Sequence, residues 1–305
     1  MLRLWHRVDH WCEAAWLCRR EAKLYQAFEV QTQTLDTHMR GIEQFPLWWE
    51  LYREASVLLA RFGYSSHAVS ILKMAKTQPS LDFLAGKELI QFYTQAKRNP
   101  DALSVAKALT INHKDRWDSY ELLWKISSLD QPMEDINTTF EDLTCQPNPR
   151  WEPFVYLAYT QLDIGLNDHA VSACEAALSI KKHDSAVWTM ARAYIHKGCL
   201  EKALDVLLSG FEEYGPRGVH ADALAGVQLY RSFDVGHYYA AIAYLSQRVE
   251  NWEPLRWSLL KLKRLVAESS PSGKIRWTDI NEETLALAEF HIGNSTAAFL
   301  HKGRD

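Results

Sequence analysis

Apolar and polar positions alternate along this chain with a helical period, and the alternation itself recurs. Trp49, Tyr52, Ala55, Ser56 and Leu59 fall three or four residues apart, and beyond Gly63 the positions Ala68, Leu72 and Ala75 do the same before Pro79. That spacing predicts two amphipathic helices joined by a glycine turn and stopped by a proline. The whole pattern then returns. Trp49, Phe83, Trp117 and Trp151 stand 34 residues apart, and nineteen positions after each come Ala68, Ala102, Ile136 and Ala170. A fifth copy follows one residue early, with Ala203. A fixed period of this size predicts stacked two-helix units.

The five copies span 49–82, 83–116, 117–150, 151–183 and 184–216, within a repeat region of 47–215. The second carries Ile90, Tyr93, Ala102, Ala106 and Leu109, with Asn99-Pro100 expected as its inter-helix turn. The third carries Tyr120, Trp124, Ile136 and Phe140, with Asp130-Gln131-Pro132 as the expected turn. The sharpest copies read Ala55-Ser56/Gly63/Ala68/Leu72/Ala75, then Leu157-Ala158/Gly165/Ala170/Cys174/Ala177, then Met190-Ala191/Tyr194/Gly198/Ala203/Leu207/Gly210. In this the chain resembles the tetratricopeptide repeat (TPR). The resemblance implies an all-α fold: a right-handed superhelical solenoid of antiparallel helix pairs, with divergent N- and C-terminal capping helices. Small residues at Ser56, Ala68 and Ala158 would let helices approach closely while bulky ones fill the holes between them. The third copy departs from the family pattern, with Trp124 and Ile136 where small residues are usual, which puts its packing angle in question.

Both ends diverge from the repeat, as the ends of a stacked array must to cover their last apolar faces. Residues 1–46 read as N-terminal caps: a stripe of Leu4, Val8, Trp11 and Ala15, then a more polar helix from Leu24 to Leu35, closed by Gly41 and Pro46. In 217–305, Gly236 and Ala241 keep the spacing of Gly198 and Ala203, so a degenerate sixth repeat is expected over Ala221–Arg248. An amphipathic helix over Trp252–Ser269 and a last pair, Thr278–His291 and Ser295–Lys302, complete the reading.

Composition narrows the function. Of 305 residues 47% are apolar, enough for a substantial core, and Gly (13) and Pro (10) are too few for a loop-rich enzyme. The net charge of −4, from 34 basic and 38 acidic residues, gives no general electrostatic case for nucleic acid. Cys12, Cys18, Cys145, Cys174 and Cys199 are odd in number and form no CxxC pair, which suits reduced thiols in a cytoplasmic protein. No apolar run approaches the ~20 residues of a membrane span. Arg3, His6 and Arg7 interrupt the start, so no signal peptide is expected.

Chemistry is sparse. The nucleotide, zinc-protease and serine-hydrolase signatures are absent from the sequence. His6, His10 and Cys12 make an incomplete ligand set, since a structural zinc wants four. Cys145 lies in a loop with no base assignable to it, and Asp234, His237 and Tyr238 read as a helix cap and first turn. The expectation is a non-enzymatic protein with no cofactor and no metal, acting as a scaffold or adaptor that binds a protein or peptide. Helix-A residues of a curved solenoid line a concave groove suited to such a segment. Arg53, Arg61, Lys87, Gln91 and Lys125, with Tyr159, Trp188 and Arg192, form the expected partner-binding set: a mildly basic track interleaved with aromatics, suited to an acidic or C-terminal peptide. Family members that clamp a terminal carboxylate use paired Asn with Lys or Arg there. This chain has no such Asn pair, and Glu121 opposes it, so that variant is not expected. The alternative is an obligate helical subunit of a larger enzyme, secretion or transport complex, or a homo-oligomer, with the terminal helices as its interface.

Overall fold

The computed structural model describes residues 14–23, 31–209, 211, 235–268 and 279–292; they form helices and short turns, with no strand among them. The chain divides into two compact units, Met1–Pro132 and Met133–Asp305, and the division falls inside the third sequence copy.

The first unit holds α1 (14–23), α2 (Gln31–Gln44), α3 (Trp49–Arg61), α4 (Ser65–Lys76), α5 (Asp82–Gln95), α6 (Asn99–Asn112) and α7 (Trp117–Asp130). From α2 onward each helix packs on the next in sequence, and α3 also meets α5. Its core gathers Ile42, Phe45, Leu51, Tyr52, Ala55, Leu59, Ala68 and Ala75, with Trp48 and Trp49 packed against it. The second unit holds α8 (Met133–Thr144), α9 (Trp151–Asp163), α10 (Asn167–Ile180), α11 (Asp184–His196), α12 (Leu200–Leu208), α13 (Val235–Arg248), α14 (Trp252–Glu268) and α15 (Asp279–His291). Here too neighbours in sequence are neighbours in space, with an added contact of α9 on α11. Ala68, Ala102, Ile136, Ala170 and Ala203, the five positions marked by the period, are all fully buried.

One turn recurs in both units. After α3, the Tyr64 N–H bonds the Leu59 carbonyl at 2.8 Å and the Gly63 N–H bonds the Ala60 carbonyl at 3.0 Å. This is a Schellman motif, which needs a left-handed residue at its fifth position. Arg98 on Tyr93, Leu166 on Gln161, Cys199 on Tyr194 and Asn251 on Ser246 repeat the longer bond. The left-handed residue is glycine at Gly63, Gly165 and Gly198, but Lys97 (φ 56°) and Glu250 (φ 54°) at the other two.

These last two turns account for two departures from expectation. The inter-helix turn of the second copy lies at Ala96–Arg98, not at Asn99-Pro100. Asn99 and Pro100 begin α6, where proline's missing N–H costs nothing because the first helical donors have no partner in any case. Likewise Gly236 is a buried residue within α13 rather than a turn, and the helix pair is Val235–Arg248 with Trp252–Glu268, turning at Glu250. The part of the expected sixth repeat before residue 235, the Leu4–Trp11 stripe, the first half of the Leu24–Leu35 helix and the helix over Ser295–Lys302 lie outside the described residues. Gly41 also departs from its expected role: it is buried inside α2, which continues to Gln44. In the third copy the junction is Gln131-Pro132, with Gln131 in extended conformation (φ −99°, ψ 144°), as a residue before proline prefers.

Candidate protein-interaction surface

Within a copy, the first helix carries two kinds of position. One kind faces its own pair and is buried in both units: Tyr52, Ala55 and Ser56 in α3, Tyr156 and Ala158 in α9. The other faces away from the pair, and here the units differ. In the first unit Arg53 and Arg61 of α3, Lys87 and Gln91 of α5 and Lys125 of α7 are all exposed. Lys125 pairs with Glu121 one turn back. Arg53, Arg61 and Lys87 make no ion pair within the described residues.

Part of this face is concave. Arg53, Val57, Leu58 and Arg61 of α3 line a cleft of about 310 Å³ together with Lys23 of α1, His38 of α2, Glu54 of α3 and Glu88 of α5. Glu54 is engaged: Arg19 Nε donates to Oε1 at 2.7 Å and His38 Nε2 lies 3.5 Å from Oε2. Burial alone would push the Glu54 carboxyl up, but its contacts with His38 and Arg19 prevail and hold it below the ordinary glutamate value. His38 is only 3% exposed, and its Nδ1 donates to the Thr34 carbonyl at 2.8 Å, which aims the other ring nitrogen at Glu54. Lys23 and His38 come from the capping helices, where no repeat frame reaches. For His38 the local signal was the polar run Thr34, Thr37, His38 on one helix, three residues that are all buried; Lys23 had none.

The positions of the second unit that match Arg53, Lys87 and Gln91 are buried or half-buried, while Asp163, the counterpart of Arg61, is exposed. Val155, at the repeat position of Arg53 and Lys87, is 0% exposed, and Glu152 and Ser185, near the starts of α9 and α11, are 2% and 5% exposed. Arg150 forks onto Glu152 through two bonds, at 2.8 and 3.2 Å. Tyr159, Trp188 and Arg192 are half-buried. From α13 comes Tyr238, which is fully buried; its ring meets Trp188 edge to face with centroids 5.0 Å apart, and its hydroxyl donates to the Asp184 carbonyl at 3.1 Å. Burial raises the Tyr159 hydroxyl above the ordinary phenol value and pushes that of Tyr238 well above it. The sequence reading missed Tyr238 as a residue that packs on Trp188 and bonds the start of α11.

The aromatics that mark the period pack at helix junctions. Phe83 lies under the Arg116 guanidinium, 3.9 Å from the ring centre, with His113 edge-on at 5.4 Å. Trp151 stacks on His183 at 4.3 Å, with Lys181 over the ring. Burial lowers the His183 pKa despite the neighbouring Asp184 carboxylate.

No protein-family model matches the chain. Nor does any curated protein match it significantly. Solved structures do resemble it. A tetratricopeptide repeat protein from Parabacteroides merdae is 13% identical with a TM-score of 0.43, over 90% of this chain and 99% of that one. The APC/C hetero-tetramer Cut9–Hcn1 gives 9% and 0.43, over 93% of this chain and 51% of the other. A thermophilic TPR protein from Thermus thermophilus gives 15% and 0.38, over 64% and 99%. The fold here is TPR-like. What carries that statement is the chain's own geometry: helix pairs at a 34-residue period, Schellman turns between paired helices, and fully buried small residues where the pairs meet.

His6, His10, Cys12 and Asp234 lie outside the described residues. Cys145 is an exposed free thiol, and His237 an exposed residue in the first turn of α13. Cys174 is fully buried, and its thiol is raised far above the ordinary range by burial, so it is inert. No helix among the described residues is long and apolar enough to cross a membrane.

Proposed function

We propose that this protein is a non-enzymatic scaffold or adaptor, and that the outward face of α3, α5 and α7 in its first unit binds an acidic segment of a partner protein. The observation that supports this reading is the contrast between equivalent positions. Arg53 and Lys87 are exposed cations that form no ion pair among the described residues, where the second unit places buried Val155. Leaving cations unpaired on one face raises the local positive potential of a chain whose net charge is −4. Such a face attracts acidic segments and speeds their association at low salt. The four described cysteines are free thiols, which suits a cytoplasmic setting.

The test is titration of the purified protein with a fluorescein-labelled acidic peptide. The Arg53→Glu/Lys87→Glu double variant should weaken binding at least tenfold while its circular dichroism and melting temperature stay put. Unchanged affinity in that variant would remove the assignment of this face.

A further inference from the structure

The cleft between α1, α2 and α3 has features that restrict what it can hold, and these go further than a general preference for acid. Its lining contains three cations, Lys23, Arg53 and Arg61, and two carboxylates, Glu54 and Glu88. Glu54 is already neutralised from behind by Arg19, at 2.7 Å, with His38 at 3.5 Å. Set against Glu88, the three cations therefore leave two positive charges that nothing in the described residues satisfies. Lys23 and Arg61 are exposed, so these charges stay solvated until a ligand arrives, and they cost the folded protein little.

The charges are also spaced. Arg53 and Arg61 are eight residues apart on one helix, which separates their backbones by about 12 Å at 1.5 Å per residue. Between them on α3 the lining includes two apolar side chains, half-buried Val57 and the nearly buried Leu58, beside Glu54. An extended peptide advances roughly 3.3 Å per residue, so about 12 Å corresponds to side chains three to four positions apart. A single carboxylate would leave one end of the cleft unmatched. A compact dianion could reach both guanidiniums only by pulling them inward over Val57, giving up their solvation without covering the two apolar side chains.

Resting on the reading of this face as an acidic-segment binder, we propose that the cleft is a specificity site for an extended peptide carrying two acidic side chains three or four residues apart with an apolar residue between them. One carboxylate pairs with Arg53, with Lys23 beside the same cleft, and the other with Arg61. The apolar side chain covers Val57 and Leu58. Guanidinium groups suit this role because each can fork onto a carboxylate through two parallel hydrogen bonds. Glu88 bounds the cleft from α5 and disfavours a third acid on that side.

The experiment uses the full chain and three labelled nine-residue peptides of otherwise Ser and Gly composition, read by fluorescence anisotropy. The first has Glu at positions 3 and 7 with Leu at 5; the second has the two Glu adjacent; the third keeps the Glu spacing with Ser in place of Leu. The first should bind at least tenfold more tightly than the second and several-fold more tightly than the third. Arg61→Ala and Lys23→Ala should each weaken the first peptide, Arg61→Ala by about tenfold, a loss expected for a charge-assisted pair. Two results overturn the proposal in distinguishable ways. If all acidic peptides bind equally, with dependence on Arg53 and Lys87 but none on Arg61, Lys23 or Glu spacing, the cleft is not selective and the broader face assignment survives. If no acidic peptide binds, both readings fall together.

Discussion

Val155 of the second unit and Arg53 of the first stand at the same position of the repeat, yet one is wholly buried and the other exposed. The helices around them are built alike, with small residues at the crossing points and a Schellman turn at the far end. What differs is what lies over the outward face. In the second unit Tyr238 of α13 meets Trp188 and the start of α11, and Val155, Ser185 and Thr189 are buried. In the first unit the same face carries Arg53, Lys87 and Gln91. A repeated scaffold thus supplies one geometry twice, and the side chains on its outward positions determine whether a stretch is core or surface.

That contrast can be broken most forcefully at Tyr238. Replacing it by Ala removes a fully buried aromatic and should cost about 3–5 kcal/mol, read as a lower denaturation midpoint. Tyr238→Phe, which keeps the ring and loses the bond to the Asp184 carbonyl, should cost only about 1 kcal/mol. Equal losses for the two variants would mean that the hydroxyl, not the packing, holds this face closed.

Next comes the matched pair. Val155→Ala should destabilise by about 2 kcal/mol, from lost transfer energy and the cavity left behind. Arg53→Ala, at the same repeat position, should change stability by less than about 0.5 kcal/mol. A large loss at Arg53 would show that the first unit's face is structural after all. Of comparable size is Gly86→Ala in α5, where an added Cβ would come within 2.6 Å of Leu109 Cδ2 on α6. Overpacking there should cost about 1–3 kcal/mol, because Leu109 is itself fully buried and has little room to move.

A smaller effect tests a charge that the first unit does bury. Asp82, at the start of α5, accepts from Lys76 at 2.9 Å, from His113 Nε2 at 2.8 Å and from Asn112 at 3.2 Å. Burial would raise its carboxyl, but the three donors outweigh it and the pKa falls below the ordinary aspartate value. The stabilisation is then complete above the unfolded value of about 3.9 and disappears as pH falls through the lower folded value. Asp82→Asn should remove that part of the acid dependence, lowering stability near neutral pH by roughly 1–2 kcal/mol and leaving it less sensitive below pH 4. A variant whose acid unfolding curve tracks the parent would place the sensitivity in another carboxylate.

The smallest change expected is at Lys125→Ala. Its partner Glu121 is on the same exposed helix surface, and such pairs contribute about 0.3–0.5 kcal/mol at most. A peptide affinity that also falls severalfold in this variant would extend the binding face along α7.

Much of this fold could be read from the residues because the repeat states it several times over. Ala68, Ala102, Ile136, Ala170 and Ala203 were each marked by position alone, and all are buried. The misplaced features have physical reasons. Asn99-Pro100 has the composition of a turn, but proline serves equally well in a helix's first turn, and the left-handed residue two positions earlier is a lysine, which gives no warning. Gly236 has the spacing of a turn glycine, yet it sits inside α13, and Glu250 takes the turn. The surface was harder to read than the fold. Helix-A positions can be counted off from the period, but whether they stay open depends on a tyrosine 79 residues further along the sequence than Tyr159. Lys23 and His38 belong to helices outside the period altogether, so no spacing pointed to them.

Helices that touch mainly their neighbours in sequence have a kinetic consequence. Nearly every contact within either unit closes a loop of a few dozen residues at most, so little chain entropy must be lost before the first native contacts form. Folding should begin at whichever helix pair forms first and spread outward pair by pair, and opening should run the same way from the ends. Amide exchange would record this as a gradient, with protection highest in central helices such as α4 and α10 and falling toward each unit's outer pairs. For a binding face that lies partly on α1 and α2, the ligand would then do two jobs. Besides being recognised, it would fasten down helices at the edge of the first unit.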